Sequence, residues 1–459
     1  MKFSTICKKR YLRQYLIALS GCIFVLTSGI NLGWTSPYLP EILNGNYDIS
    51  ITSNEGSWIA VMPLAGSIPG ALIMMLVVDK IGRKLSILLM APIACISFIT
   101  LAYAYNGILI ALIRFIIGAV EGGLYTVLPM YLGEISDPEI RGILTGLMAV
   151  FTILGTLLIN ALGFHYSIFI SSIICSIIPV IHFVTFVWVP ESPYYLIKRN
   201  RHKEAEESLN VLRGTIDVQE ELQSLQVAVA QQECDKKSKF KDLFCVKSNR
   251  KAFMIYLIVC FARKFSGKNP LLFYTTAIFE SAGGGMDSQL SVIIFICVEA
   301  LSAMLGVLLI DKIGRRPLLI ASTSICATAL CLTGLHFIFK DDAPYLSMFN
   351  WLPLTSLTIY NVFYTVGLEL AQTVYVGELF PISIKAIALG FADMLSVTNG
   401  IIVSKIFQII NDHLGIEYAF FFFSACCASG FLLIIKYVRE TKNKTLEEIQ
   451  SELKKKTSS

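Results

Sequence analysis

The sequence predicts an all-α membrane protein of twelve transmembrane helices, arranged as two six-helix halves joined by a helical cytosolic stretch. Three observations carry that expectation. The composition is too apolar and too weakly charged for a soluble domain, long apolar runs recur along the whole chain, and a set of short charged motifs occurs twice in the same order.

Of 459 residues, 55% are hydrophobic and 15% charged, and the mean hydropathy is +0.65. A soluble domain carries about 25% charged residues. Crossing the hydrocarbon core takes about 20 predominantly apolar residues. Such runs lie near 15–36, 57–78, 85–105, 107–130, 143–164, 167–189, 252–276, 289–310, 317–339, 352–377, 386–410 and 417–437. The first follows Lys8, Lys9 and Arg10 and continues past Trp34, too long for the core of a secretory signal, so it is expected to remain as helix one. The tenth, from Leu352, is long enough to tilt or break. The expected organisation is a first bundle over 1–189, a cytosolic linker with short helices over 190–251, a second bundle over 252–438 and a cytosolic tail over 439–459.

Charge sets the orientation. With the N-terminus in the cytosol, the outside loops fall near 37–56, 106, 165, 277–288, 340–351 and 411–416, and Lys340 is the one basic residue they hold of the chain's 38. This bias follows the positive-inside rule and places both termini in the cytosol. The expected location is the cell membrane, crossed many times, with the lipid bilayer as one partner. Most of the cysteines lie in apolar spans, where a thiol behaves as a small hydrophobe. The five histidines are scattered without metal-ligand spacing. No metal, cofactor, nucleic acid or enzymatic activity is expected, and the sequence assigns no oligomeric state.

The charged motifs form an internal repeat. Asp79-Lys-Ile-Gly-Arg-Lys84 follows helix two, and Asp311-Lys-Ile-Gly-Arg-Arg316 follows helix eight. Gly133-Glu134 with Arg141 ends helix four, as Gly377-Glu378 with Lys385 ends helix ten. Pro190-Glu191-Ser-Pro193 ends helix six, as Glu440-Thr-Lys442 ends helix twelve. The offsets between partners are 232, 244 and 249 residues, in fixed order. Parallel repeats of this kind build transporters with a solute site near the bilayer midplane. The expected cytosolic gate comprises Asp79, Arg83, Lys84, Glu134, Arg141, Glu191, Asp311, Arg315, Arg316, Glu378, Lys385 and Glu440. One exposed ion pair contributes about 0–1 kcal/mol. A network can bias a two-state equilibrium and let the halves rock as its pairs break.

These motifs resemble the sugar porter family of the major facilitator superfamily, from Gly33-Trp-Thr-Ser-Pro37 to Glu440-Thr-Lys-Asn-Lys-Thr-Leu-Glu-Glu-Ile449. Ser57-Trp58, Met62-Pro-Leu64 and Val403-Ser-Lys405 are similar to its facilitated trehalose transporter branch. Arg439, Asn443 and Tyr194 stand where the family pattern has Pro, Gly and Arg. The resemblance implies alternating-access movement of a sugar, a hexose or trehalose, with no covalent chemistry. Proton-coupled members carry an Asp in helix one; residues 15–36 hold no acidic side chain, which favours facilitated movement.

The expected pocket departs from that pattern. The family's Gln-Gln-x-Ser-Gly-Ile-Asn on helix seven is here Arg263-Lys264-Phe-Ser-Gly-Lys268-Asn269, with Asn269 and Tyr274 matching. Its Gly-Pro-x-Pro-Trp on helix ten becomes Glu369-Leu-Ala-Gln-Thr373, and Met148 and Ala149 replace a frequent Gln on helix five. By helical rise, Arg263 and Glu369 lie at similar depths, roughly 17 and 14 Å from the cytosolic end. Intramembrane charges face a cavity and have a partner. Glu369 is therefore expected to neutralise part of the cluster, leaving excess positive charge, with Lys264 and Lys268 repelling each other at i, i+4 on one helix face. The candidate solute-binding residues are Arg263, Lys264, Lys268, Asn269, Tyr274, Glu369 and Thr373. Glu121 on helix four reads either as a proton site or as a structural partner for Arg114, two turns away. The pocket leaves two other readings open: a carrier of an anionic or modified polar solute, proton-coupled through Glu121 or Glu369, and a sensor that binds without transporting.

Overall fold

The computed structural model describes residues 2–137, 139–214, 218–234, 242–283, 287–340, 351–380, 382–442 and 448. Every regular element among them is helical, and the chain divides into two units, Met1–Lys236 and Lys237–Ser459. Among the described residues, ten helices are long and apolar enough to cross a bilayer. The segments expected as spans seven and ten are also helical, but each is interrupted.

The first unit opens with α1 (Lys2–Gly33), which passes through Trp34 into α2 (Thr35–Leu43). The first span therefore runs on to Leu43, beyond the expected end. α3 (Ser53–Ile81) starts where Thr52 and Glu55 form a reciprocal capping box, which satisfies two otherwise orphaned backbone donors. α4 (Arg83–Ala102) follows a one-residue turn at Gly82, and α5 (Gly107–Ile135) starts under an Asn106 cap. α6 (Arg141–His165) and α7 (Ile168–Phe186) complete the bundle. On α4, Leu85, Leu89, Ile93 and Ile96 form an exposed apolar stripe, a surface suited to lipid.

Two helix crossings in this unit depend on missing side chains. Gly66 and Gly70 of α3 lie against the carbonyls of Phe115 and Ala119, while Gly118 and Gly122 of α5 lie against those of Pro63 and Ser67. A Cβ at any of the four would collide with backbone. Likewise Gly29 of α1 meets the Thr152 carbonyl and Gly155 of α6 meets that of Leu26. Between helices in lipid, small residues permit the close approach that supplies van der Waals contact.

Three short helices follow: α8 (Pro193–Lys198), α9 (His202–Arg213) and α10 (Gln219–Cys234). Ala205 and Leu209 of α9 pack with Leu196, Ile197 and Leu222 in a small core of their own. Arg213 fixes this group to the bundle: it donates to the Ile135 carbonyl at 2.9 Å and pairs with Asp137 at 3.5 Å and Glu221 at 2.5 Å. Gln14 of α1 holds Asp137 from the other side.

The second unit comprises α11 (Asp242–Cys245), α12 (Lys247–Lys264), α13 (Lys268–Ala282), α14 (Ser288–Ile313), α15 (Arg315–Phe339) and α16 (Leu352–Phe363). A π turn over Tyr364–Glu369 leads into α17 (Leu370–Leu379), followed by α18 (Ile382–His413) and α19 (Ile416–Tyr437). The expected single helix over 252–276 is thus two. Gly267 between them has φ +86, a left-handed conformation that glycine adopts without the penalty of a Cβ. At the other interruption, Gly367 of the π turn is seated against Ser322 and the Leu318 carbonyl of α15.

Candidate functional site

The repeated motifs build one hub at the end of each half. In the first, Arg83 donates to Glu134 at 3.0 Å and to Asp79 at 3.1 Å. Lys198 adds a second cation on Asp79 at 2.8 Å. Glu191 accepts the backbone N–H groups of Arg83 and Lys84 at 3.1 Å and of Ser192 at 2.8 Å. This places a carboxylate at the N-terminus of α4, where the helix dipole favours negative charge. In the second, Arg315 pairs with Glu378 at 2.9 Å, and Glu440 accepts the N–H groups of Arg315 and Arg316 at 3.1 and 2.9 Å. The correspondence extends to a pair of tyrosines: Tyr131 donates to the Pro190 carbonyl at 2.7 Å and Tyr375 to that of Arg439 at 3.0 Å.

Arg83 thus pairs with Asp79 and Glu134 of the first half, and Arg315 with Glu378 of the second. Among the described residues, Arg141 is exposed and joins no hub pair, and Lys84 contributes its backbone N–H. The side chains of Asp311, Lys385 and Thr373 lie outside the described residues.

Glu440 gives the second hub a pH dependence. Burial by itself would raise its carboxyl, but the N–H groups of Lys442, Arg315, Arg316 and Thr441 hold it below the usual 4.5. The stability it contributes is complete above that value and is lost as pH falls through the lower folded one. Between roughly pH 6 and pH 3, melting of the detergent-solubilised protein is expected to fall more steeply for the wild type than for Glu440→Gln. Parallel profiles would remove Glu440 from this role.

A second polar group lies inside the first half. Arg114 of α5 donates to Thr35 Oγ1 and to the Asn31 carbonyl, both at 2.5 Å, and its guanidinium sits 5.0 Å from the Trp34 ring. Glu121, considered from sequence as its partner, lies within electrostatic reach of the guanidinium, which also reaches across to α1 and α2. Glu121 is 5% exposed, faces Asn31, and leaves its Oε1 without a hydrogen bond.

The charges of the second half gather at its two helix interruptions. Arg263, in the last turn of α12, lies 3.3 Å from Glu369 Oε1 and 3.5 Å from Gln372 Oε1. Lys264 lies within electrostatic reach of Arg263, Glu369 and Asp393 of α18. Lys268, first residue of α13, turns elsewhere: its Nζ is 2.7 Å from Glu299 of α14 and 2.6 Å from Asn361 of α16. The Phe295 and Tyr364 rings flank that ammonium at 5.4 and 5.6 Å. The break at Gly267 cancels the i, i+4 relation, so Lys264 and Lys268 do not share a continuous helix face.

Two of the three cations have an acid in ion-pair contact, Arg263 with Glu369 and Lys268 with Glu299, and Asp393 of α18 interacts electrostatically with Arg263 and Lys264. Glu299 and Asp393 were missed from sequence, although each is an acid inside an apolar run, which is itself a sign of function or pairing. Asn269 is half-buried and makes no hydrogen bond to these charges among the described residues. Tyr274 belongs to a different contact: it donates to Gln408 at 3.0 Å, stacks on Phe407 at 5.2 Å, and interrupts α13 with φ −117. No cluster of three His, Cys, Asp or Glu suited to a metal occurs among the described residues.

Known proteins are similar to this chain in sequence and in architecture. The profile of the "Sugar (and other) transporter" family matches residues 14–453. The facilitated trehalose transporter Tret1 of Bombyx mori is 31% identical over 442 residues, covering 96% of this chain and 86% of the relative. Tret1 of Drosophila yakuba is 32% identical over 443 residues, and the chain, 96% covered, spans 52% of that relative's length. The inward-open xylose transporter XylE from E. coli superposes with a TM-score of 0.77 at 20% identity, covering 96% of this chain and 99% of XylE. That likeness gives the fold, the one shared by the major facilitator superfamily. With the profile spanning nearly the whole sequence, this chain belongs to the sugar transporter family and is a multi-pass membrane protein.

Proposed function

We propose that this chain moves a neutral sugar, a hexose or trehalose, across the membrane by facilitated alternating access, in which a polar site is exposed to one side at a time. The observation that carries the reading is the charged, hydrogen-bonding group at the interruptions of α12–α13 and α16–α17. It places donors and acceptors inside an apolar bundle at backbone breaks, the arrangement carriers use to bind solutes at membrane depth. The trehalose-transporting relatives support the solute class, and the absence of an acidic side chain from residues 15–36 supports movement without a proton. We place the protein in the plasma membrane, with both termini and the 190–251 and 439–459 segments on the cytosolic side, as the distribution of Lys and Arg favours.

Proteoliposomes given labelled trehalose or glucose test this directly. The expected result is uptake down the sugar gradient at a rate unaffected by an imposed pH gradient. Exclusion of both sugars, with entry of a sugar acid or sugar phosphate, would overturn it.

A further inference from the structure

We propose that Asp393 and Glu369 set the charge selectivity of the solute site in the second half, cancelling Arg263 and Lys264 so that neutral sugars are accepted and anionic ones rejected. This deepens the preceding reading and rests on it.

The argument begins with which charges are committed to one another. Lys268 is 8% exposed and Glu299 7%, and they meet at 2.7 Å with Asn361 bonded to both. That group is closed and neutral, with little capacity to answer to a solute. The other four charges are arranged differently. Arg263 and Glu369 touch at 3.3 Å, with side chains 20% and 36% exposed, and Arg263 Nε is a buried donor without a hydrogen bond. Asp393 is exposed on α18 next to Ala392, whose carbonyl accepts from Tyr256 of α12 at 2.6 Å, so it stands at the α12–α18 contact and interacts electrostatically with both Arg263 and Lys264. Lys405, further along α18, is twelve residues from Asp393, roughly 18 Å by helical rise.

The accessible part of the cluster therefore holds two cations and two carboxylates at membrane depth. A sugar hydroxyl both donates and accepts, so it can bridge a carboxylate and a guanidinium or ammonium with charge-assisted hydrogen bonds. An anionic solute would gain from Arg263 and Lys264 but meet Glu369 and Asp393, and a cationic one the reverse. Like-charge juxtaposition is strongly unfavourable where water is sparse. Two carboxylates opposite two cations exclude net charge of either sign while keeping affinity for hydroxyls.

The test is competition in proteoliposomes among glucose, glucuronate and glucosamine, for the wild type and Asp393→Asn. The wild type should favour glucose over both charged sugars. Removing the carboxylate should shift the glucuronate-to-glucose ratio upward by about tenfold or more. Adding Lys264→Gln to Asp393→Asn should return it to the wild-type value. Should Asp393→Asn not yield folded protein by detergent melting, Glu369→Gln carries the same prediction. A folded variant with unchanged selectivity, or a double variant that fails to restore it, overturns the charge-balance assignment alone. A wild type that takes up neither glucose nor trehalose overturns the proposed function and this assignment with it.

Discussion

Lys268→Met is expected to be among the most destabilising single substitutions in the chain, and Lys268→Met combined with Glu299→Leu to be far milder. The single change removes the ammonium at 2.7 Å from Glu299 and leaves a carboxylate 7% exposed inside the bundle. Breaking a buried ion pair in this way costs about 3–5 kcal/mol, whereas exchanging both partners for apolar groups is often neutral. Asn361 does not collapse with them, since its Nδ2 also donates to the Phe295 carbonyl at 3.1 Å. The measurement is thermal unfolding in detergent of the two single variants and the double. If the double variant is no more stable than Lys268→Met, the loss does not come from a stranded Glu299 carboxylate.

The second large effect is expected at the crossing of α3 and α5. Gly122→Val drives a branched side chain into the Ser67 carbonyl, and Gly118→Val does the same at Pro63. Neither helix can move away without also disturbing Gly66 and Gly70, which rest on α5 from the opposite side. Overpacking costs about 1–3 kcal/mol even where neighbours relax, and two facing backbones relax little. Gly146→Val on α6, where nothing lies within 4 Å, is the matched control. Size-exclusion profiles and melting should show the α5 variants aggregated or strongly destabilised and the control close to wild type. Equal behaviour of the three would mean that the crossing tolerates separation.

The bundle was legible because hydrocarbon imposes a single rule on each span: about twenty apolar residues with every backbone group bonded internally. The hubs were legible because duplication printed Asp-Lys-Ile-Gly-Arg and its companion glutamates twice. The tyrosines that complete both hubs were missed although the signal was there: Tyr131 and Tyr375 each stand three residues before the repeated glutamate, at the same 244-residue offset. In the charged group of the second half, Arg263, Lys264, Lys268 and Glu369 were legible as charges inside apolar runs, but the pairing of acids with cations was not. Glu299 and Asp393 are far from Lys268 and Arg263 in sequence, and nothing local assigns one acid to one cation. The error over Lys264 and Lys268 has a narrower cause: a regular helical period was carried through Gly267, whose φ of +86 ends it. Arg114 illustrates the same limit. Its nearest acid along the helix, Glu121, interacts with it electrostatically, but Asn31, Trp34 and Thr35 of the first span, which also meet it, are far away in sequence.

The π turn at Tyr364–Glu369 has a mechanical consequence for the helix that contains it. A wide turn accommodates one residue more than an α-turn, so every position beyond it is rotated by about 100° relative to an uninterrupted helix. Tyr375 and Glu378, which meet Arg439 and Arg315, owe their angular phase to that extra residue. Tightening the turn would swing both off their contacts while leaving Tyr360 and Asn361 in register, so a single stretch of backbone links the geometry around Glu369 to the integrity of the hub.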